Sequence, residues 1–448
     1  MVFLDFLMHP QNMDLAYFSL LGVVVSMLVS ILPALHIYNV LGIFLLFVLK
    51  FEMSMTSMQL SALAVGMIVG YSILNTVPST YMGPGDESLS YYVLPSAQWT
   101  SQGKGFESII LTGIGALGGL VLLGILAPVF LWILPGLRSI TSPHTFWIIG
   151  AVIAYILMSE WPKGVSQSRV TWNNFLEGWF FLGIGLATFF LSGLLGFIVL
   201  SRTFVPIDFA FQSITPVFVG LFAIPWLITN IINVGEIPPQ HVPQSIDLDW
   251  ELCIRGTFGG ALGGFFAAFI PLVTAGIGGL LSGHATAQRD SRLFVMSYGT
   301  CKTVYYVGSF LLFFIPGLSF TRGGLAWIIS PLGPTITLQE YVIFIGLMLF
   351  SAGISFLLLF PFTEMILWII EKVDYHKISL VTLFGLVPVI YLMTGFGGLA
   401  IMIVATGIGL LPVMFQARRM NLMGVLLLPV CLNMAGYGND FLKLLGLL

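Results

Sequence analysis

Apolar residues fill this chain in blocks of bilayer length, separated by short polar interludes. The blocks run Leu15–Leu32, Val40–Leu49, Met58–Val77, Ile109–Leu134, Phe146–Met158, Phe175–Leu200, Phe209–Ile232, Arg255–Leu281, Leu293–Phe314, Val342–Ile370, Leu380–Leu392, Leu399–Met414 and Leu422–Met434. A bilayer-spanning helix needs about 20 largely apolar residues, and with a short piece at Gly323–Pro334 that reads as re-entrant there are about 13 or 14 runs, some of half length. The pattern predicts an all-α, polytopic membrane bundle. The first block breaks at Pro33-Ala34-Leu35-His36, and the block from Arg255 breaks at Pro271 before Thr274. Proline removes a backbone donor and crowds the preceding turn, so both blocks read as proline-broken helices. Two halves opening with matched broken helices are the usual sequence sign of a binding site near the midplane of a secondary transporter.

The expected organisation is a first repeat at 1–134, connecting transmembrane helices at 135–235, an acidic, proline-rich extramembrane linker at 236–253, a second repeat at 254–371 and C-terminal transmembrane helices at 372–448. Composition agrees: 58% of the 448 residues are apolar and 8% charged, against about 25% charged in soluble domains. Mean hydropathy is +1.01. The polar interludes are too short to bury a core of their own, which excludes a soluble catalytic domain within this stretch of chain. The net charge of −3 implies no acidic or basic partner, and nucleic acid is excluded as one. Cys253, Cys301 and Cys431 are scattered and fit neither a disulfide framework nor a zinc site; no metal or other cofactor is expected. No Lys or Arg precedes Lys50, so the first helix lacks the basic flank of a cleaved signal peptide and is expected to stay.

The basic residues give a topology. With Lys50, Arg138, Arg202, Arg289, Arg292, Lys372, Lys377, Arg418 and Arg419 cytoplasmic, the outer side keeps Lys104, Lys163, Arg169, Arg255, Arg322 and Lys443. The excess lies in the direction that sets membrane orientation. Treating the Pro33 break as one crossing makes the halves parallel repeats; treating it as a hairpin inverts them.

Chemistry concentrates at a few positions. The stretch Asn75–Pro95 places Asn75, Thr76, Ser79, a Gly-Pro-Gly turn and the adjacent carboxylates Asp86 and Glu87 where an apolar helix ends. Irregular backbone at membrane depth needs protein or a water-lined cavity around it, so this stretch reads as a cavity wall. Asp86 and Glu87 are candidates for a coupling cation or proton, or mark a solvated turn. Lys302 lies ten positions past Arg292, about 15 Å into the bilayer. A lysine at that depth costs about 2.5 to 3.5 kcal/mol and should face a cavity or a counter-ion. It reads either as an anion-binding residue or as half of a structural ion pair with Glu364, itself a candidate coupling carboxylate. His36 and Asn39 follow one break and Thr274 the other, where freed N–H groups suit an anion. His36 also titrates near neutral pH, although a lone interfacial histidine also serves as a plain polar cap.

Gly83-Pro84-Gly85-Asp86 matches the G-x-G-D string of intramembrane aspartyl proteases, but the Tyr-Asp pair that would carry their second aspartate is absent. The phosphate-cradling G-x-x-x-x-G-K-[ST] loop of primary transporters is absent too.

The runs LPALHIYN (32–39), NTVPSTYMGPGDESLSYYVLP (75–95) with QGKGFESIILTGIGALGG (102–119), and ATGIGLLPVMFQARRMNLMGVLLLP (405–429) resemble the TctA family, the large membrane subunit of tripartite tricarboxylate transporters, and most of all its archaeal branch of unknown function. The resemblance spans both halves. It implies a cation-coupled secondary carrier of carboxylates in the plasma membrane, working with a small membrane subunit and an extracytoplasmic solute-binding protein. His36, Asn39, Asn75, Thr76 and the Pro84–Glu87 turn carry over by position; Lys302 rests on the depth argument alone. The family's Pro-Gly at the breaks is Pro33-Ala34 and Pro271-Leu272 here, which weakens close backbone approach to a carboxylate.

The expected function is therefore a permease for a small organic anion by alternating access, in contact with membrane lipids and without enzymatic activity. Three rivals stand: a carrier of an amphipathic anion such as a polyprenyl phosphate, which 38 phenylalanines would suit, a non-transporting membrane subunit of a larger complex, and an intramembrane enzyme using Asp86.

Overall fold

The computed structural model describes residues 10–31, 36–51, 54–83, 93–161, 172–205, 213–232, 237–243, 245–286, 290–318, 320–330 and 337–447; these residues form helices and connecting turns, with no strand among them. Eight helical stretches are long and apolar enough to cross a membrane, or nine with the bent pair Arg419–Met434 and Gly438–Leu444. The chain is an all-α polytopic bundle. There are fewer candidate spans than apolar runs, partly because neighbouring runs fuse and partly because helices such as Ile37–Lys50 and Ser291–Phe314 are not among them. Leu380–Leu392 and Leu399–Met414 share one helix, Tyr375–Met414, bent where Gly395 adopts φ 66°, a left-handed value that costs glycine little.

The chain forms two compact units: unit 1 is 1–83, 91–140 and 236–375, and unit 2 is 84–90, 141–235 and 376–448. Unit 1 contains α1 (Pro10–Ile31), α2 (Ile37–Lys50), α3 (Ser57–Leu74), α4 (Thr76–Met82), α5 (Val93–Ser101) and α6 (Gly105–Thr141). Unit 2 contributes α7 (Thr145–Met158), α8 (Trp172–Ser201), the short α9 (Thr215–Phe218) and α10 (Ile224–Ile232). The chain then returns to unit 1 with α11 (Trp250–Phe269), α12 (Ala275–Ala285), α13 (Ser291–Phe314), α14 (Gly324–Ile329) and α15 (Leu338–Lys372), and ends in unit 2 with α16 (Tyr375–Met414), α17 (Gly424–Met434) and α18 (Gly438–Leu444).

Several helix starts follow from local chemistry. Thr56 and Gln59 form a reciprocal capping box at α3, and Thr337 and Glu340 do the same at α15. Asp249 and Asp290 accept backbone N–H groups at the starts of α11 and α13.

Unit 1 is organised around α3 and α13. Every residue from Leu60 to Leu74 and from Val295 to Phe314 is buried, so both helices are enclosed by other helices on all faces. Backbones meet closely at glycines: a Cβ on Gly66 would lie 1.8 Å from the Ser19 carbonyl oxygen, and one on Gly260 would lie 2.0 Å from that of Ser297. Thus α1 packs on α3 and α11 on α13, each at a place where only glycine fits. Thr300 Oγ1 donates to the Gly115 carbonyl at 2.6 Å and joins α13 to α6. Ser19 and Ser351 share a hydroxyl hydrogen bond of 2.7 Å between α1 and α15.

A strap crosses the α5–α6 turn. The Gln240 side chain accepts the Gly105 N–H at 2.9 Å and donates to the carbonyls of Thr100 and Pro238, while the His241 N–H reaches the Gly103 carbonyl at 2.8 Å. These contacts of residues 240 and 241 lie within unit 1. In unit 2, α8 and α17 touch through glycines: a Cβ on Gly196 would lie 1.9 Å from the Val425 carbonyl oxygen.

Candidate functional site

The α3–α4 junction sets one side of the site. Pro78 has no N–H to return to the Leu74 carbonyl, so the helix loosens at Asn75 and restarts at Thr76. Side chains take up the slack: Ser79 Oγ donates to the Asn75 carbonyl at 2.7 Å and Thr80 Oγ1 to the Thr76 carbonyl at 2.8 Å. Asn75 is half-buried, while Thr76 and Ser79 are buried.

Opposite this junction stands Lys302, in the middle of α13. It is 1% exposed, and its Nζ donates to Thr76 Oγ1 at 2.5 Å. A fully buried ammonium is retained only where polar groups replace its water. Beside it, the buried Thr303 Oγ1 has no hydrogen-bond partner among the described residues. Glu364 is exposed on α15 and does not pair with Lys302, so the structural ion pair weighed for these two residues is not formed.

One turn along the same face of α13 comes Tyr306, whose hydroxyl lies 3.3 Å from His36 Nε2. The Tyr38 N–H donates to His36 Nδ1 at 3.3 Å. A nitrogen that accepts cannot carry the proton, so this contact assigns neutral His36 as the Nε2–H tautomer, which donates to the Tyr306 hydroxyl. The imidazole is ringed by Tyr38, Tyr71 and Tyr306, at centroid distances of 4.2, 5.3 and 5.9 Å. Asn39 donates its backbone N–H to the His36 carbonyl at 3.0 Å and so closes the turn that starts α2.

The second break also reaches α13. After Phe269 the chain turns through Leu272, a non-glycine residue at φ 65°, and restarts at α12 with buried Thr274 as N-cap; the Thr274 side chain makes no capping hydrogen bond. Cys301, next to Lys302, donates its Sγ–H to the Ala275 carbonyl at 3.5 Å. Thr274 is therefore held one residue from a contact with α13, but no described hydrogen bond joins it to Lys302.

The structure thus brings together Lys302 with Thr76, flanked by Asn75 and Ser79, and on the next turn Tyr306 with His36, next to Asn39. Asp86 and Glu87 lie outside the described residues. Sequence reading missed Tyr38 and Tyr71 as partners of His36; the signal was spacing, since Tyr71 precedes Asn75 by one helical turn. It also gave no partner for Arg322, whose Nη2 donates to the carbonyls of Ala267, Ile270 and Val273 at the broken end of α11.

Unit 2 holds a separate polar cluster that the sequence did not signal. Glu160, just past α7, is buried, and its Oε1 accepts the Arg418 N–H at 2.8 Å and Asn421 Nδ2 at 2.6 Å. Burial pushes the Glu160 carboxyl above its ordinary range, partly offset by these two donors.

The model of the tripartite tricarboxylate transporter TctA family matches residues 17–424. An uncharacterized protein of Methanocaldococcus jannaschii is 25% identical over 367 residues, which cover 81% of this chain and 83% of that one. No solved structure matches the chain.

Proposed function

This chain belongs to the tripartite tricarboxylate transporter TctA family, and we propose that it is a secondary carrier that moves a small organic anion, a carboxylate, by alternating access coupled to a cation or proton. With the family and eight candidate spans, transport as an integral, multi-pass protein of the plasma membrane is the coarse statement; substrate, site and coupling are the proposal.

The observation that carries it is Lys302, a fully buried cation whose Nζ is met by the hydroxyl of Thr76 at a helix break. A buried ammonium beside a helix break suits a carboxylate, which it meets through a charge-assisted hydrogen bond. Asn75 and Ser79 on the same junction are the proposed further polar groups for the anion, with Thr274 at the start of α12 as a more remote candidate. His36 and Tyr306 form a second polar point about one helical turn, roughly 5 to 6 Å, from Lys302. Asp86 and Glu87 are the proposed acceptors of the coupling cation or proton. Glu364, exposed on α15, is the least supported of the candidate coupling carboxylates. By family, the partners are a small membrane subunit and an extracytoplasmic solute-binding protein.

The test is thermal unfolding of the purified protein with di- and tricarboxylates and, separately, with polyprenyl phosphates, repeated on Lys302→Ala. A ligand at 100 times its dissociation constant adds about 2.7 kcal/mol. Stabilisation by one carboxylate class that disappears in the variant is the expected result. Stabilisation by polyprenyl phosphates alone would replace the substrate class with an amphipathic anion, and no response to any compound would sink the anion site.

A further inference from the structure

The break at Pro271 leaves a specific electrical problem. The last carbonyls of a helix have no intrahelical partner and carry the negative end of its dipole. Pro271 deepens the deficit, because it has no N–H to return to the Ala267 carbonyl. The final ladder bond of α11 is Ile270 N–H to Phe266 at 2.9 Å, and Val273 N–H reaches the Ile270 carbonyl only at 3.4 Å. Ala267, Ile270 and Val273 are buried, so water does not make up the difference. In carriers with broken helices, such freed carbonyls and half-helix C-termini are where a coupling cation sits.

Here a side chain stands in that place. Arg322, from the segment between α13 and α14, directs Nη2 at the carbonyl oxygens of Ala267, Ile270 and Val273, at 2.9, 2.8 and 3.0 Å. Three oxygens converge on one nitrogen that has only two hydrogens. The contact is therefore partly an ion held in a carbonyl cage and not three one-to-one hydrogen bonds. No carboxylate among the described residues pairs with this guanidinium. Its Nε is buried without a partner; the Tyr305 ring lies 6.0 Å from Cζ to centroid, and Tyr38 is a further neighbour. The charge is balanced by the carbonyls and the helix end.

We propose that Arg322 is a tethered cation filling a monovalent-cation site made by the carbonyls of Ala267, Ile270 and Val273. Wild-type protein has no use for a free ion at this break. Removing the charge while leaving the cage converts it into a site for sodium, potassium or guanidinium. The inference is independent of which solute is carried. It also ties the α13–α14 segment to the α11–α12 break, so the two move as one body.

The experiment is hydrogen–deuterium exchange across residues 267–280 of the detergent-purified full chain. Wild type, Arg322→Ala and Arg322→Lys are compared in choline, in sodium or potassium, and with low-millimolar guanidinium. Loss of charge-assisted hydrogen bonds predicts exchange about tenfold faster in Arg322→Ala in choline, slowed again by guanidinium or an alkali cation, with Arg322→Lys close to wild type. Wild type should exchange alike in sodium and choline. Unchanged exchange in Arg322→Ala, or loss of protection that no cation restores, would overturn the proposal. So would slower exchange of wild type in sodium, which remains decisive if the alanine variant does not fold. A failed carboxylate screen on wild type would leave all of these results unaffected.

Discussion

At the Pro271 break the freed carbonyls of α11 meet a guanidinium that stays charged across any physiological pH, whereas the turn into α2 presents a titratable imidazole to tyrosine rings. The Pro271 break is fastened by charge, whereas the Pro33 break itself lies outside the described residues and His36, just after it, meets neutral aromatic groups. The contrast teaches that a proline break by itself says nothing about mobility. What matters is the group that takes up the carbonyls and N–H groups the break sets free. On this view the α11–α12 end is the stiffer side of unit 1, and adaptation to a solute falls to the side of His36.

Substitutions can break that contrast. The largest effect is expected for Arg322→Ala, which leaves three carbonyls at the helix end without a donor. Removing one partner of a buried charged arrangement typically costs about 3 to 5 kcal/mol, readable as a lower midpoint in denaturant. His36→Ala should cost about 1 kcal/mol, the value of an ordinary hydrogen bond. Equal losses in the two variants would show that the Arg322 and His36 contacts do not differ as described.

Next comes Lys302→Ala, which sharpens the comparison by separating stability from binding. It should abolish ligand-induced stabilisation, a loss of about 2.7 kcal/mol at saturating ligand, while His36→Ala weakens it only partly. Calorimetric titration of both variants would measure the split. Tyr306→Phe removes the hydroxyl next to His36 Nε2 and should lower stability by about 1 kcal/mol; a neutral result would mean that the ring, not the hydroxyl, holds the imidazole.

The smallest effect is a slope. The Glu160 carboxyl is raised in the folded protein above its usual 4.5. A raised folded value means that the folded state holds the proton more tightly. The contribution is thus fully present below the unfolded value and is lost as pH rises through the folded one. Glu160→Gln keeps an acceptor for the Arg418 N–H and Asn421 Nδ2, and should flatten the fall in stability above pH 4.5. A slope unchanged by the substitution would mean that Glu160 titrates as an ordinary carboxylate.

The all-α bundle could be read from apolar runs, because a helix satisfies its own backbone in lipid, while the capping boxes at Thr56 and Thr337 were not picked out. Lys302 was legible because depth along a helix is simple arithmetic. Its partner was not, since Thr76 lies 226 positions away and only tertiary packing brings the two helices together. The partners of Arg322 were hidden for a related reason. A positive charge between two apolar runs looks like a loop residue, and the carbonyls that claim it belong to the backbone, which leaves no trace in residue identity. Glu160 was hidden in the same way: a carboxylate next to Trp161 and Pro162 reads as an interfacial turn until Arg418 and Asn421 close over it.

The order in which unit 1 is assembled along the chain has a consequence for biogenesis. Its pieces are separated by residues 141–235, which belong to unit 2, so unit 1 cannot close until synthesis is past α13. By then α6, which lies against Thr300, and α11, which lies against Ser297, have already been made. A helix carrying Lys302 thus enters a membrane already furnished with its neighbours, and its solvent during insertion is protein rather than lipid. Truncating the nascent chain within α13 should leave a segment that the translocon retains poorly when α6 and α11 are deleted and well when they are present.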